Sequence, residues 1–125
     1  MSRIVKKIEI EGKEVMALFD TGAMHTYVCN EIVGSAPTII IPEPYKVAFD
    51  GRIIEVKKLC LLWGKIEGRG LDMEAVPIDD IGRINGNKID VVIGALTMEK
   101  WEIIPNPKDG TLDLTGLKRR EFIEF

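Results

Sequence analysis

Residues 17–23, with the sequence ALFDTGA, constrain this chain more than any other segment. Asp20 directly follows three apolar residues, so its carboxyl group is expected at the end of a buried strand. Burying a carboxylate is unfavourable unless other groups compensate for the lost water. Thr21 can hydrogen-bond locally, and Gly22 lets another backbone approach closely. The segment therefore predicts a fixed carboxyl group at a strand end, available either for chemistry or for a turn.

Short apolar or alternating runs, separated by turn residues, continue through most of the chain. Residues 4–10 and 15–19 flank a Glu11-Gly12 turn signal, and we expect them to form a first hairpin that delivers Asp20. Many short strands with frequent turns favour a closed or folded-over barrel. The sequence therefore predicts a mostly β protein.

A second hairpin is predicted around Asp50 and Gly51. The flanking residues, 45–56, alternate between apolar and polar side chains, and Asp-Gly between two such runs is a strong hairpin signal. Pro42 and Pro44 lie just before this segment and are expected to interrupt strand pairing there.

The middle of the chain contains a further strand and two glycine-rich segments. Residues 59–63 are apolar and predict a separate buried strand, after which Gly64, Gly68 and Gly70 predict a loop. Residues 81–87 hold two glycines and two asparagines and resemble a connector.

The last third of the chain predicts one more strand and one helix. Residues 89–94 are an apolar strand that ends in glycine, and residues 96–101 are the best helix candidate, bounded by Pro105 and Pro107. Residues 1–125 are few enough for a single domain. The expected architecture is mostly β, with one short helix near the C-terminal end.

Three of these features also occur in a defined order. They are the DTGA run at residues 20–23, the Asp50-Gly51 hairpin, and VVIGAL at residues 91–96, followed by a helix and by PKDGTL at residues 107–112. In this order and spacing the chain resembles the retropepsin-like aspartic proteases over residues 8–115. The resemblance implies a retropepsin-like acid-protease barrel and the activity of an aspartic endopeptidase.

That activity requires two carboxyl groups that share one proton. The chain has no second Asp-Thr-Gly or Asp-Ser-Gly, and Asp109-Gly110-Thr111 carries the same residues in another order. The resemblance therefore implies a homodimer in which a two-fold axis passes between two Asp20 side chains. One carboxyl would take a proton from the attacking water, and the other would polarise the scissile carbonyl of a peptide or protein substrate.

The resemblance also implies roles for other residues. Asp20, Thr21 and Gly22 would be the catalytic residues, with Thr21 bracing the loop across the dimer axis and Gly22 receiving substrate backbone. Residues 45–56 would form a flap that closes over the peptide. The residues expected to bind substrate are Ala23, Met24, His25, Phe49, Asp50, Gly51, Ile93 and Gly94.

Two positions depart from the retroviral pattern. Retroviral members usually carry an acidic residue directly after the DTGA run and an arginine directly after the later glycine, and the two pair in the fold. Here those positions are Met24 and Ala95, so both charges are absent together and no lone charge is left. An alternative function therefore stays open, a non-catalytic peptide-binding or dimerisation module. Residues 116–125 are interpreted either as a tail or as a strand at the dimer interface.

Composition excludes several other classes of function. The net charge is −3 and the pI is about 5.2, so nucleic acid and charged membrane surfaces are not expected as partners. No apolar run approaches the ~18 residues of a membrane helix. Residues 1–7 lack the apolar stretch of a secretion signal, so the expected location is cytoplasmic.

The two cysteines, Cys29 and Cys60, are interpreted as free structural thiols, with a single disulfide as the alternative. His25 is the only histidine, and with Cys29 four residues away it makes a poor ligand set for a metal. No metal and no cofactor are expected.

Overall fold

The computed structural model describes residues 3–125. Met1 and Ser2, part of the N-terminal segment used to predict the location, lie outside the described residues. The strands in chain order are β1 (Arg3–Ile10), β2 (Lys13–Asp20), β3 (Thr26–Cys29), β4 (Thr38–Phe49), β5 (Arg52–Ile66), β6 (Arg69–Ile78), β7 (Arg83–Ile84), β8 (Asn87–Lys88), β9 (Val91–Ile93), β10 (Ile104–Asn106) and β11 (Thr111–Asp113).

The prediction of a mostly β chain is confirmed, but the prediction of one helix is incomplete. The described residues contain three short helices, α1 (Asn30–Val33), α2 (Ala95–Trp101) and α3 (Thr115–Arg119). Only α2 corresponds to the predicted helix. The other two span a single turn each and are too short to show a 3.6-residue periodicity in the sequence.

Most of the described strands form one sheet. Its seven strands follow the order β1-β2-β9-β3-β6-β5-β4, and β1 also pairs with β5 at Glu9 and Ile10. The order brings β9, from late in the chain, between β2 and β3. The end of β2, which carries Asp20, therefore lies beside the end of β9, which leads into Gly94.

The first predicted hairpin is confirmed. β1 and β2 pair from Arg3 opposite Asp20 to Ile10 opposite Lys13, and Glu11 and Gly12 at the turn both have positive φ. A tight turn with two positive φ angles matches the twist of the strands.

The second predicted hairpin is also confirmed. β4 and β5 pair up to Phe49 opposite Arg52, and Asp50 and Gly51 at the tip both have positive φ, as the Asp-Gly signal predicts. The register shifts between Ile40 and Tyr45, where the two prolines were expected to interrupt pairing.

The predicted loop at residues 64–70 is wrong in its extent. Gly64 lies inside β5 opposite Leu71, and Gly70 lies inside β6 opposite Lys65, so only Glu67 and Gly68 form the turn. The segment predicted as a separate strand, residues 59–63, belongs to the same continuous strand as the second hairpin.

The sheet packs its apolar side chains into two clusters. In β2, Ala17 and Phe19 belong to one cluster and Leu18 to the other, because side chains alternate along a strand. β9 divides in the same way, since Val91 and Ile93 face the first cluster and Val92 faces the second. Asp20 thus ends a strand whose preceding residues are buried on both faces, which fixes the position of its backbone.

The chain ends in a small hairpin and a helix. β10 and β11 pair with each other, α3 follows, and residues 120–125 adopt no regular secondary structure. Leu117 of α3 is fully buried, while Ile123 and Phe125 are exposed. Within residues 3–125, no helix has both the length and the apolar character needed to cross a bilayer.

Candidate active site

Asp20 is the last residue of β2, and its carboxyl group is held by the turn that follows. The Gly22 backbone N–H donates a 2.9 Å hydrogen bond to Oδ1, and the Ala23 N–H donates to the Asp20 carbonyl oxygen at 3.1 Å. The Asp20 side chain is 15% exposed. The carboxyl group is therefore anchored at one oxygen while the group as a whole keeps contact with solvent.

Arg3 lies directly across the first hairpin from Asp20. Its Nε atom is 3.7 Å from Asp20 Oδ2, and its side chain is 55% exposed. This distance lies beyond a normal N–H···O hydrogen bond, so the pair is a loose ion pair. The guanidinium adds a positive charge next to the anchored carboxylate.

The loop after Asp20 is clamped to the start of α2. The Ala95 N–H donates to the Ala23 carbonyl at 2.7 Å, and the Leu96 N–H donates to the Met24 carbonyl at 3.1 Å. Gly94 makes this approach possible, because a β-carbon there would lie 2.1 Å from the His25 carbonyl oxygen.

A buried pair of hydroxyl groups supports the same junction. Thr26 Oγ1 and Thr97 Oγ1 are 2.7 Å apart, and the Gly94 N–H donates to Thr26 Oγ1 at 3.1 Å. Both threonines are buried. Their bonds join β3, the end of β9 and α2, so the position of the Asp20 loop depends on elements far apart in sequence.

Asp20 faces a groove with a volume of about 720 Å³. The groove runs between the loop after β2, the tip of the β4–β5 hairpin and the segment around β7. The residues that line it are Arg3, Leu18, Asp20, Gly22, Ala23, Met24, His25, Tyr27, Val47, Ala48, Phe49, Asp50, Ile81, Gly82, Arg83, Ile84, Ile89 and Val92. Its floor is apolar, because the buried residues among these belong to the second core cluster.

The β4–β5 hairpin rests on the floor of this groove through aromatic contacts. The rings of Phe49 and Tyr27 have centroids 4.2 Å apart, and those of Tyr45 and His25 are 6.0 Å apart. Burial, and to a smaller extent the neighbouring Tyr45, raises the pKa of the Tyr27 hydroxyl. Tyr27 therefore stays neutral at ordinary pH and serves as packing surface.

Arg52 joins the tip of this hairpin to the segment on the other side of the groove. Its Nη2 donates to the Asp80 carbonyl at 2.8 Å, and its guanidinium lies 5.6 Å from the centre of the Phe49 ring. The described contacts of the tip thus hold the hairpin across the groove.

The structure brings most of the expected site residues to the groove and places the others elsewhere. Those that line it are Asp20, Gly22, Ala23, Met24, His25, Phe49 and Asp50. Thr21 lies on the exposed turn, Gly51 lies at the hairpin tip, Ile93 is fully buried, and Gly94 lies behind the loop.

Sequence reasoning missed two arginines that line the groove. Arg3 could have been found, because counting back from the Glu11-Gly12 turn in the predicted hairpin places it opposite Asp20. Arg83 lies in a segment interpreted as a connector, and the sequence carries no signal that this segment returns to the groove.

The retroviral ion pair has no counterpart at the base of the loop. Met24 is 61% exposed and Leu96 is 53% exposed, while Ala95 has no charged side chain. The backbone bonds from α2 to the loop are formed without any side-chain charge at these positions.

Neither cysteine lines the groove. Cys29 and Cys60 are both free and buried, and burial raises the pKa of each thiol, for Cys60 to about 11. Over residues 3–125, histidine, cysteine and acidic side chains form no group of three or more placed to hold a metal ion.

Comparison of the sequence with protein-family models and with curated proteins gives no match. Comparison of the structure with solved structures does give matches. The EIAV protease in complex with the inhibitor HBY-793 aligns with a TM-score of 0.58 and 16% identity, covering 79% of this chain and 88% of that chain.

Two further matches cover a larger share of this chain. The retroviral protease-like domain of Ddi1 from Leishmania major aligns with a TM-score of 0.60 and 12% identity, covering 94% of this chain and 88% of the other. The foamy viral protease-reverse transcriptase aligns with a TM-score of 0.56 and 16% identity, covering 85% of this chain. This chain spans only 12% of that longer protein. On these alignments and the topology above, the chain has a retropepsin-like fold.

Proposed function

We propose that this chain is an aspartic endopeptidase that acts as a homodimer, with one Asp20 from each subunit. One observation carries the proposal. The Asp20 carboxyl group is anchored by the Gly22 N–H at the strand end of a retropepsin-like fold, and it faces a groove large enough for part of an extended peptide.

In the proposed mechanism the two Asp20 carboxyls hold one proton between them. The ionised carboxyl takes a proton from water as the water oxygen bonds to the scissile carbonyl carbon, and the other carboxyl donates its proton to the carbonyl oxygen. The resulting diol collapses, the C–N bond breaks, and a proton passes to the leaving nitrogen. The products are a new carboxyl end and a new amino end, with no covalent enzyme intermediate.

The remaining site residues would position the substrate. Thr21 would brace the loop across the two-fold axis, and Gly22 would accept substrate backbone close to Asp20. The substrate would lie extended under the β4–β5 hairpin, where Phe49 and Asp50 line the groove. Residues 45–56 would act as a flap that opens for entry and closes to exclude water.

The exposed apolar side chains beside the Asp20 loop support a dimer. Met24 and Leu96 are both more than half exposed in the single chain, although a backbone hydrogen bond joins them at the junction of the loop and α2. A two-fold contact that brings two Asp20 loops together would cover apolar surface of this kind.

Cleavage of a mixed peptide library near pH 5 tests the activity, with and without pepstatin. Asp20→Asn keeps a hydrogen-bond acceptor for Gly22, so the variant should fold and should lose all measurable cleavage. Asp109→Asn is the matched control, because Asp109 belongs to the exposed turn that carries the same three residues in another order. Cleavage that survives in Asp20→Asn would exclude the proposed mechanism.

Mixing subunits tests whether the site is shared. When wild-type chain is diluted into excess Asp20→Asn chain, active dimers should fall as the square of the wild-type fraction. Activity that falls in direct proportion to that fraction would mean that each chain works alone, and would contradict the shared pair.

A non-catalytic module with the same fold is the second candidate. The observation that favours it is the replacement of the retroviral ion pair by Met24 and Ala95, together with the contact of Arg3 with Asp20 in the single chain. A strict monomer in sedimentation at high concentration, with no cleavage, would establish this candidate instead.

A further inference from the structure

We infer that the groove selects peptides with an acidic side chain close to the scissile bond, and that Arg3 and Arg83 bind this side chain. The inference rests on the proposed function, because it assigns a substrate class to the same site. It is carried by the position, exposure and partners of two guanidinium groups that line the groove with Asp20.

Arg3 lies beside the position where the reacting bond would be held. Its Nε is 3.7 Å from Asp20 Oδ2, so the ion pair is too long to use the N–H donors fully. A guanidinium carries five N–H donors in a planar fork, and the side chain is 55% exposed. Arg3 can therefore keep its contact with Asp20 and still donate to a substrate carboxylate.

Arg83 lines the groove from the segment around β7. Its Nη1 donates to the Gly86 carbonyl at 3.2 Å, within the tight β7–β8 hairpin, and this bond holds the side chain near its own turn. Among the described residues, no carboxylate lies within 4.0 Å of the Arg83 guanidinium. Arg83 is exposed, so its remaining donors are open to a ligand.

The other charged groups of the groove do not cancel these two arginines in a dimer. The acidic side chains in its lining are Asp20 and Asp50. Two Asp20 carboxyls that share one proton carry a single negative charge. The arginine charges therefore outnumber the carboxylate charges once two copies of the groove meet.

The rest of the lining limits where the acidic side chain can lie. Leu18, Tyr27, Ile89 and Val92 make an apolar floor beneath the aromatic contacts of the hairpin. A charged side chain on this floor would lose its water without a partner. The acidic residue is therefore expected beside an apolar one, at a substrate position that reaches the arginines near the rim.

The expected preference follows from the strength of such pairs. A partly exposed charge pair contributes little, and a bidentate arginine–carboxylate pair contributes more. For two arginines we expect kcat/KM to be about five- to thirtyfold higher for a glutamate peptide than for the same peptide with glutamine. High salt should reduce this ratio.

The test uses three peptides that are identical except at one position near the cleaved bond, where the residue is Glu, Gln or Lys. The measured quantity is the ratio of kcat/KM values, compared between wild type, Arg83→Gln, Arg83→Glu and Arg3→Gln. Arg83→Gln and Arg3→Gln should each lower the Glu/Gln ratio, and Arg83→Glu should shift preference towards Lys. The control is Arg69→Gln, an exposed arginine outside the groove, which should leave the ratio unchanged.

Two results would overturn the inference while the proposed function survives. One is cleavage with equal rates for Glu and Gln peptides, and the other is a Glu preference that Arg83→Glu leaves unaltered. If the protein cleaves no peptide, binding of the same labelled peptides to the Asp20→Asn chain decides the question separately. Tighter binding of the Glu peptide that Arg83→Glu abolishes supports the inference, and equal binding of all three peptides rejects it.

Discussion

Gly94 and His25 approach each other so closely that no side chain fits between them. A β-carbon on residue 94 would lie 2.1 Å from the His25 carbonyl oxygen and 2.8 Å from the Met24 carbonyl oxygen. The contact joins the loop that follows Asp20 to the start of α2. The position of the proposed catalytic carboxyl therefore depends on a glycine more than seventy residues further along the chain.

Gly94→Ala should move the Asp20 loop and destabilise the fold by about 3 kcal/mol or more, since backbone rather than a flexible side chain must give way. Chemical denaturation measures the loss of stability, and the cleavage assay should show loss of activity at temperatures where the variant is still folded.

Gly68→Ala provides the comparison for that variant. Gly68 has a positive φ at the β5–β6 turn and open space where a β-carbon would be, so only backbone strain of about 1 kcal/mol is expected. Cleavage by Gly68→Ala should match wild type. A Gly94→Ala protein as stable as Gly68→Ala would show that the loop and α2 are not in tight contact.

Thr26→Val should destabilise the protein by about 1–3 kcal/mol, although valine has nearly the same shape. The substitution leaves the Gly94 N–H and the Thr97 hydroxyl buried without their shared partner. Urea unfolding measures the effect. Thr38→Val removes a hydroxyl from an exposed residue, and we expect a change below about 0.5 kcal/mol there. Equal effects at the two sites would contradict the proposed support of the junction.

Arg52→Ala should make the β4–β5 hairpin open more often. The variant loses the hydrogen bond to the Asp80 carbonyl and the contact with Phe49, together about 0.5–1 kcal/mol. Amide hydrogen exchange at residues 45–56 should therefore be about two- to fivefold faster. Lys46→Ala, on the exposed part of the same hairpin and outside the groove, should exchange as wild type does. Unchanged exchange in Arg52→Ala would mean that other contacts hold the hairpin.

Cys60 should make stability depend on pH in the alkaline range. Burial raises the pKa of its thiol from 9.0 to about 11 in the folded state. The unfolded chain therefore releases this proton first, and the free energy of unfolding should fall as pH rises from about 9 to 11. The effect is absent only well below pH 9, where both states keep the proton.

Other groups also titrate in that range, so the Cys60 effect is measured as a difference. Denaturant unfolding of wild type and Cys60→Ala at several pH values between 8 and 11 should give curves that converge as pH rises. Curves that stay parallel would show that the thiol ionises equally in the two states.

The sequence predicted the elements whose signals are local. The two tight hairpins, at Glu11-Gly12 and Asp50-Gly51, follow from turn residues between apolar or alternating runs, and these turn residues have positive φ in the structure. The break in pairing before Tyr45 follows from two prolines that cannot donate hydrogen bonds.

Gly64 shows why the rest of the fold was harder to predict. It has the appearance of a loop residue in the sequence, but it lies within β5, where a β-carbon would meet the Glu9 carbonyl oxygen and the Ile10 and Met73 side chains at 3.0 Å. Glycine is needed there because β1 crosses close to β5. That crossing is a long-range contact, and one sequence carries no local signal of it.

The same distinction between local and long-range signals applies to the residues of the candidate site. Asp20 and its turn were identified from adjacent residues, and Arg3 was within reach of the predicted hairpin register. Arg83 and the Thr26–Thr97 pair could not be predicted. The two threonines meet only because β9 is inserted between β2 and β3, and Arg83 reaches the groove only because the segment around β7 returns to it.

The most direct test is the distance between the two Asp20 carboxyl groups in a crystal structure of the protein. We predict two chains related by a two-fold axis, with carboxyl oxygens about 3 Å apart, as one shared proton requires. Two Asp20 side chains separated by the width of a subunit, or a single chain that cleaves alone, would contradict it.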